Sequence, residues 1–194
     1  MLRTLPCAVF GAVLTLCVQA APAHAERFED AVLAELNYAR GDPAGYARDL
    51  RDEGPDPYGW EDPAAVAEAA AQLSRQAPLA PLRPDPRLAA AARSHAAAQG
   101  RSGGVGHGRS DDGLGPRLRS HGVFAGLAAE NIAYGQETPR DVVRQLIVDS
   151  RVPGRGHRRD VFSAGYQLAG VACAPHPTYG MMCVIDYAGG MAPE

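Results

Sequence analysis

AENIAYGQETPRDVVRQLIVDSRVPGRGHRRDVF, residues 129–162, packs a strand, a helix and a helical turn into one run. Asn131 to Tyr134 reads as a strand. Thr138-Pro139 is an N-cap followed by proline at the first helical position, and Val142, Val143, Leu146 and Ile147 then share the inner side of a helix through about Val148. Beyond the turn Pro153-Gly154-Arg155-Gly156, His157 to Phe162 is a short helical piece. The same run holds charge where charge is unwelcome. Glu130 lies between Ala128, Ala129 and Ile132, Ala133, and an ionised carboxylate among apolar groups costs several kcal/mol unless a cation or hydrogen-bond donor meets it. Two histidines are candidates to do so: His157 after the turn, and His107 upstream in the glycine-rich stretch Gly103 to Gly108.

Upstream the chain reads as helices. Glu26 to Arg40 places Phe28, Ala31, Val32, Leu36 and Ala39 on one face, and Gly41-Asp42-Pro43 ends it. Pro43 to Leu50 adds a short turn of helix. Asp62-Pro63 opens an alanine-rich helix to about Arg75, expected to cover the core rather than form it. Asp85-Pro86 repeats the cap and starts a helix to Gln99, with Leu88, Ala91, Ala92, His95 and Ala96 on one face. His95 is therefore predicted to be a packed, hydrogen-bonded core histidine. Downstream, Gln167 to Ala174 and Met181 to Tyr187 are apolar, β-branched runs around a turn, hence a hairpin. Helices followed by a hairpin, plus the strand near Asn131, predict an α+β fold: a small antiparallel sheet covered by helices on both faces.

The first 25 residues stand apart. Arg3 gives a positive start, Cys7 to Cys17 is apolar, and Ala23-His24-Ala25 offers small residues where a signal peptidase reads, so residues 1–25 read as a secretory signal and 26–194 as a single domain. About 15 apolar residues are too few to span a bilayer comfortably, so no integral membrane segment is expected after cleavage. The chain carries a formal net charge of −3, and losing Arg3 makes the remainder one unit more acidic. Without a basic stripe and with little aromatic content, nucleic-acid binding is not expected. Export to a secreted or periplasmic compartment favours oxidation, and the two cysteines left after cleavage, Cys173 and Cys183, flank the hairpin turn. A disulfide between them would stabilise by about 3 kcal/mol in the chain-entropy model, the alternative being two buried thiols.

The residues that carry chemistry are His107, Glu130, Asp149 and His157. Their separations match no local metal motif, so any site must be assembled by the fold. Glu130 is read as orienting a histidine, binding a metal, or acting as general base toward a metal-bound water. Asp149 is read either as a partner in that site or as a solvated residue at a helix end. A metal-free serine hydrolase lacks support: there is no Gly-x-Ser-x-Gly elbow, and Ser94 and Ser120 each precede a histidine on a helix, where adjacent side chains diverge.

A resemblance joins these pieces. Leu36-Asn37-Tyr38-Ala39-Arg40 with Pro43, Pro81-Leu82-Arg83 before the helix of His95, Gly106-His107, Glu130-Asn131-Ile132-Ala133, Gly156-His157-Arg158, Gly170-Val171-Ala172-Cys173 and Cys183-Val184-Ile185-Asp186-Tyr187 follow one another as in the CAP superfamily. Also called the SCP domain, this family includes cysteine-rich secretory proteins, antigen 5 and plant pathogenesis-related proteins. The chain resembles its bacterial secreted type. The resemblance implies a three-layer α-β-α sandwich with a cleft lined by two histidines, here His107 and His157, and two acids, the first Glu130. The second falls on Ser150 in the straightest alignment, with Asp149 beside it as the nearest carboxylate.

Some family members bind zinc in that cleft, some bind sterols or other lipids, and a few are described as proteases. Carried to this chain, that implies a cleft for a small-molecule or lipid or sterol ligand. Zinc is possible there, on His107 and His157 with Glu130 and Asp149. The alternatives are a metal-assisted hydrolase, a protease or esterase with Glu130 as general base, and a non-catalytic extracellular interaction module.

Overall fold

A computed structural model of the protein describes residues 22–56 and 59–191, and the elements run α1 (Pro22–Gly41), α2 (Pro43–Glu53), α3 (Pro63–Leu73), β1 (Arg83–Pro84), α4 (Pro86–Ser102), α5 (Leu114–Ser120), β2 (Ala128–Tyr134), α6 (Pro139–Val148), α7 (Gly156–Val161), β3 (Leu168–His176) and β4 (Gly180–Ala188). Residues 1–21, which hold most of the predicted leader, lie outside the described residues. No helix among those described is long and apolar enough to cross a membrane.

One local device starts four of the helices. Asp42, Asp62, Asp85 and Thr138 each accept a hydrogen bond from a backbone N–H of the first turn, and each is followed by proline, whose missing N–H would have had no partner there. The helix of α2 is longer than the expected short turn. It runs on to Glu53 because the stop is Gly54, at φ 68°, whose N–H bonds back to Leu50 O.

The sheet has the order β1-β3-β4-β2, antiparallel except where the two-residue β1 adds to β3 in parallel. Helices cover both faces, as predicted. On one face α1, α2, α3 and α6 share a core with Ala133, Ile185 and Tyr187 of the sheet; on the other, α4 and α5 pack over Ile132, Ala172, Val184 and Ala188. The alanines of α3 belong to the first core: Ala65, Ala69 and Ala70 are buried with Val66 and Leu73, so this helix is a wall and not an outer cover. Small side chains also set the distance on the other face. A Cβ placed at Gly170 of β3 would lie 2.0 Å from the backbone nitrogen of Ala89, so α4 rests directly on the strand.

Cys173 and Cys183 are cross-strand partners in the hairpin and form the expected disulfide. Arg40, fully buried at the end of α1, donates to the carbonyls of Ala80, Val161, Ser163 and Tyr166, tying α1 to the segment before β1 and to the end of α7. Every carbonyl it meets lies outside regular structure or at its end, where backbone acceptors lack partners.

Candidate functional site

The edge strand β2 decides where the site forms. Its other long side has no strand partner among the described residues, and groups from both helical layers reach each other around it. A cleft of about 770 Å³ lies there, lined by Ile132 and Tyr134 of β2, by His107 from the α4–α5 loop, and by Asp149 and His157 from the α6–α7 segment. The two predicted histidines therefore face one hollow.

His107 is presented on a turn that only glycine allows. Gly106 and Gly108 on either side both have φ near +83°, and a Cβ on Gly108 would lie 2.8 Å from Asp112 O. The turn is clamped from below. His95 Nε2 donates to Gly106 O at 2.8 Å, Gln99 Nε2 donates to the same oxygen, and the Gly106 N–H donates to Tyr134 Oη at 2.9 Å. His95 is thus the buried, hydrogen-bonded residue predicted, and what it holds is the loop that carries His107.

Behind His107 stands Glu130, its side chain 1% exposed, with Oε1 2.9 Å from His107 Nδ1 and Oε2 held by the Arg117 guanidinium. Arg117 also donates to Asp112 O at 3.1 Å and to His95 Nδ1 at 3.2 Å. Burial alone would raise the Glu130 pKa. The hydrogen bond from His107 and the positive charge of Arg117 outweigh it and hold the carboxyl below its ordinary range. The same hydrogen bond raises the pKa of His107 against the opposing effect of burial.

Directly across the ladder from Glu130 lies Asp186, fully buried, with neither carboxylate oxygen paired to a donor among the described residues. Burial and the neighbouring Glu130 charge push its pKa up to about 8. Of the two facing carboxyls it is therefore the one that keeps a proton at neutral pH.

The second histidine is held differently. Asp149 caps α6 in the left-handed region, at φ 51°, which swings its carboxylate toward α7. One oxygen lies 2.7 Å from His157 Nδ1 and the other accepts the His157 backbone N–H at 3.0 Å. Asn131 of β2 then ties the His157 carbonyl to the sheet, at 3.1 Å. Ser150, the alternative second position, also borders the cleft but does not meet His157: its hydroxyl accepts the Asp62 N–H at the start of α3. Asp149, not Ser150, is the carboxylate that meets His157.

Three further groups belong to the site and were not predicted. Arg117 and Asp186 are the buried partners of Glu130. Asp160 is half-buried, raised in pKa by burial, and within range of the charges of both His157 and His107. Its signal was present in the sequence, three residues after His157 and so on the same helical face. Ser94 and His121 do pair, at 2.8 Å, but neither lines the cleft.

Both imidazoles have Nδ1 fixed on a carboxylate and no partner for Nε2 among the described residues. Such a ring, when neutral, offers a lone pair at Nε2; when charged, it donates there. The carboxylates themselves are occupied. Among the described residues no group of three or more His, Cys, Asp or Glu is arranged to hold a metal ion. Two imidazole nitrogens are short of the three or four protein ligands a resident zinc takes, so the donor set does not fit such a centre.

The sequence matches the CAP family, described as the cysteine-rich secretory protein family, over residues 33–187. No curated protein matches it. A solved extracellular protein containing an SCP domain from Bacillus anthracis is 18% identical with a TM-score of 0.50, covering 93% of this chain and 45% of its own. An outer surface protein from Borrelia burgdorferi is 20% identical with a TM-score of 0.47, over 57% of this chain and 78% of its own. A cysteine-rich secretory protein from Staphylococcus aureus is 15% identical with a TM-score of 0.45, over 68% of this chain and 41% of its own. The chain thus spans less than half the length of the Bacillus protein, and the likeness to it is one of fold. The family match extends over most of the sequence, and the protein belongs to the CAP, or cysteine-rich secretory protein, family.

Proposed function

We propose that this is an exported binding protein, secreted or periplasmic, whose cleft along β2 takes a small-molecule or lipid-sized ligand between His107 and His157. One observation carries the reading: two imidazoles from separate segments line the same cleft, each with Nδ1 fixed on a buried carboxylate and Nε2 left for a ligand. A volume of about 770 Å³ suits a small organic molecule. The leader-like residues 1–25 and the extracellular nature of the Bacillus protein support export.

Binding is favoured over hydrolysis because Glu130 is a poor general base here. Both its oxygens are engaged, and its lowered pKa weakens its pull on a proton. No step in this reading passes through a metal. The test is a titration of ¹⁵N-labelled protein with sterols, fatty acids and small polar or charged molecules, read at the histidine ring nitrogens. A ligand of the cleft moves the signals of His107 and His157 together and loses affinity in His157→Ala. Ligand binding that leaves both rings unmoved, or peptide or ester turnover abolished by Glu130→Gln, overturns the proposal.

A further inference from the structure

Resting on the reading of this cleft as a binding site, we infer that it selects an organic cation: an ammonium or guanidinium head on an apolar stem. The first observation is an exposed aromatic surface. Trp60, the single tryptophan of the chain, is 57% exposed and lines the cleft beside Tyr134. Its ring lies against the backbone of Gly135, where a Cβ would sit 3.6 Å from the indole and any longer side chain would displace it. An indole seated on a glycine and open to water on the cleft side offers a π-face, the surface that attracts a weakly hydrated cation.

The second observation is the charge around that surface. Asp56, Glu61, Glu137, Asp141 and Asp149 line the cleft against one guanidinium, Arg144. Arg144 is nearly buried, its donors taken by Glu53, Glu61 and Gly54 O. Asp149 is balanced by His157 when that ring is charged, but Glu137 is exposed and makes no ion pair among the described residues. A concave, partly apolar wall concentrates the field of such groups, so the hollow carries a negative potential.

Other ligand classes fit this less well. A fatty carboxylate would enter against that potential, and a neutral sterol would strip water from several carboxylates while returning at most the single hydrogen bond of its hydroxyl. A cation with an apolar stem satisfies both halves of the wall, its head at the carboxylates and indole, its stem along Ile132, Leu146 and Val148.

Three probes of equal length separate the classes: hexylammonium, hexan-1-ol and hexanoate, titrated at fixed ionic strength. Trp60 fluorescence reports directly because no other tryptophan contributes, and thermal shift gives an independent reading. Hexylammonium is expected to bind at least about tenfold more tightly than hexanol, with hexanoate weaker still and added salt lowering the affinity. Glu137→Gln should weaken hexylammonium about fivefold and leave hexanol unchanged. Trp60→Leu, an exposed substitution, should reduce hexylammonium binding by thermal shift without altering the unliganded melting temperature. Hexanol or hexanoate binding as well as hexylammonium overturns the charge preference while leaving a ligand cleft in place. Failure of all three probes also overturns it, and the histidine titration above then decides separately whether the cleft binds anything.

Discussion

The two imidazole–carboxylate pairs look alike at the cleft and are built in opposite ways. His107–Glu130 is assembled from a glycine turn, β2, α5 and, behind them, α4 and β4. His157–Asp149 is assembled within one turn, from a helix cap and the start of the next helix. The first pair is the exposed tip of a buried charge network; the second is a capping arrangement that also points a ring. Disturbing the first should therefore unsettle the core, whereas disturbing the second should loosen one corner of the cleft.

The largest effect is expected from Arg117→Met. It leaves Glu130 buried beside Asp186 with only a half-exposed histidine as counter-charge, and an uncompensated buried charge costs about 3–5 kcal/mol. Thermal unfolding at pH 7 should show a drop of roughly 10 °C, shrinking near pH 4 where Glu130 can take a proton. An equal loss at both pH values would mean that packing, not charge, is what Arg117 supplies.

Asp186→Asn sharpens the same comparison in the other direction. With its pKa raised to about 8, the folded protein keeps a proton that the unfolded chain releases near pH 4. Stability therefore falls as pH rises from about 4 to 8, and the neutral amide escapes this. The variant should be more stable than the parent by about 2 kcal/mol at pH 8 and no more stable at pH 4. A uniform loss of stability across that range would show that Asp186 is not the proton-holding member of the pair.

This difference in construction also explains what the sequence made legible. The caps at Asp62, Asp85 and Thr138 and the hairpin joined by Cys173 and Cys183 depend on neighbours in the chain, so their residues announce them. His107, Glu130 and His157 were reachable through the family resemblance, because its motifs preserve the order in which distant segments meet. Asp186 and Arg117 were not. Asp186 matters only through the β2–β4 register that sets it opposite Glu130, and Arg117 only through the placing of α5 under the glycine turn; neither follows from spacing. Asp149 lay between. The choice between it and Ser150 turned on a left-handed cap conformation that a non-glycine residue seldom adopts.

Asp149 offers the intermediate perturbation. Asp149→Ala removes the acceptor of His157 and its N–H and keeps the cost of a positive φ, so a loss of about 1–2 kcal/mol is expected. Asp149→Gly loses the same hydrogen bonds but relieves the backbone, and should be less destabilising than the alanine variant by about 1 kcal/mol. Chemical denaturation of the two side by side separates cap strain from side-chain contact. An alanine variant as stable as the glycine one would remove strain from the account of this corner.

The smallest effect is expected at His107, even though it tops the larger network. Its ring is 54% exposed, so water screens its charge and the pair with Glu130 contributes less than about 1 kcal/mol. The sign of its pH dependence is nonetheless defined. Glu130 raises its pKa, so the contribution is fully present below the ordinary histidine range near pH 6.5 and is lost as pH rises through the raised value. His107→Ala should thus cost more stability at pH 5.5 than at pH 8.5, while cleft binding falls at both. If the variant is equally stable at the two pH values yet still loses ligand, the ring serves the cleft without steadying the fold. A pH-independent loss of stability would instead make His107 part of the clamp that holds its own turn.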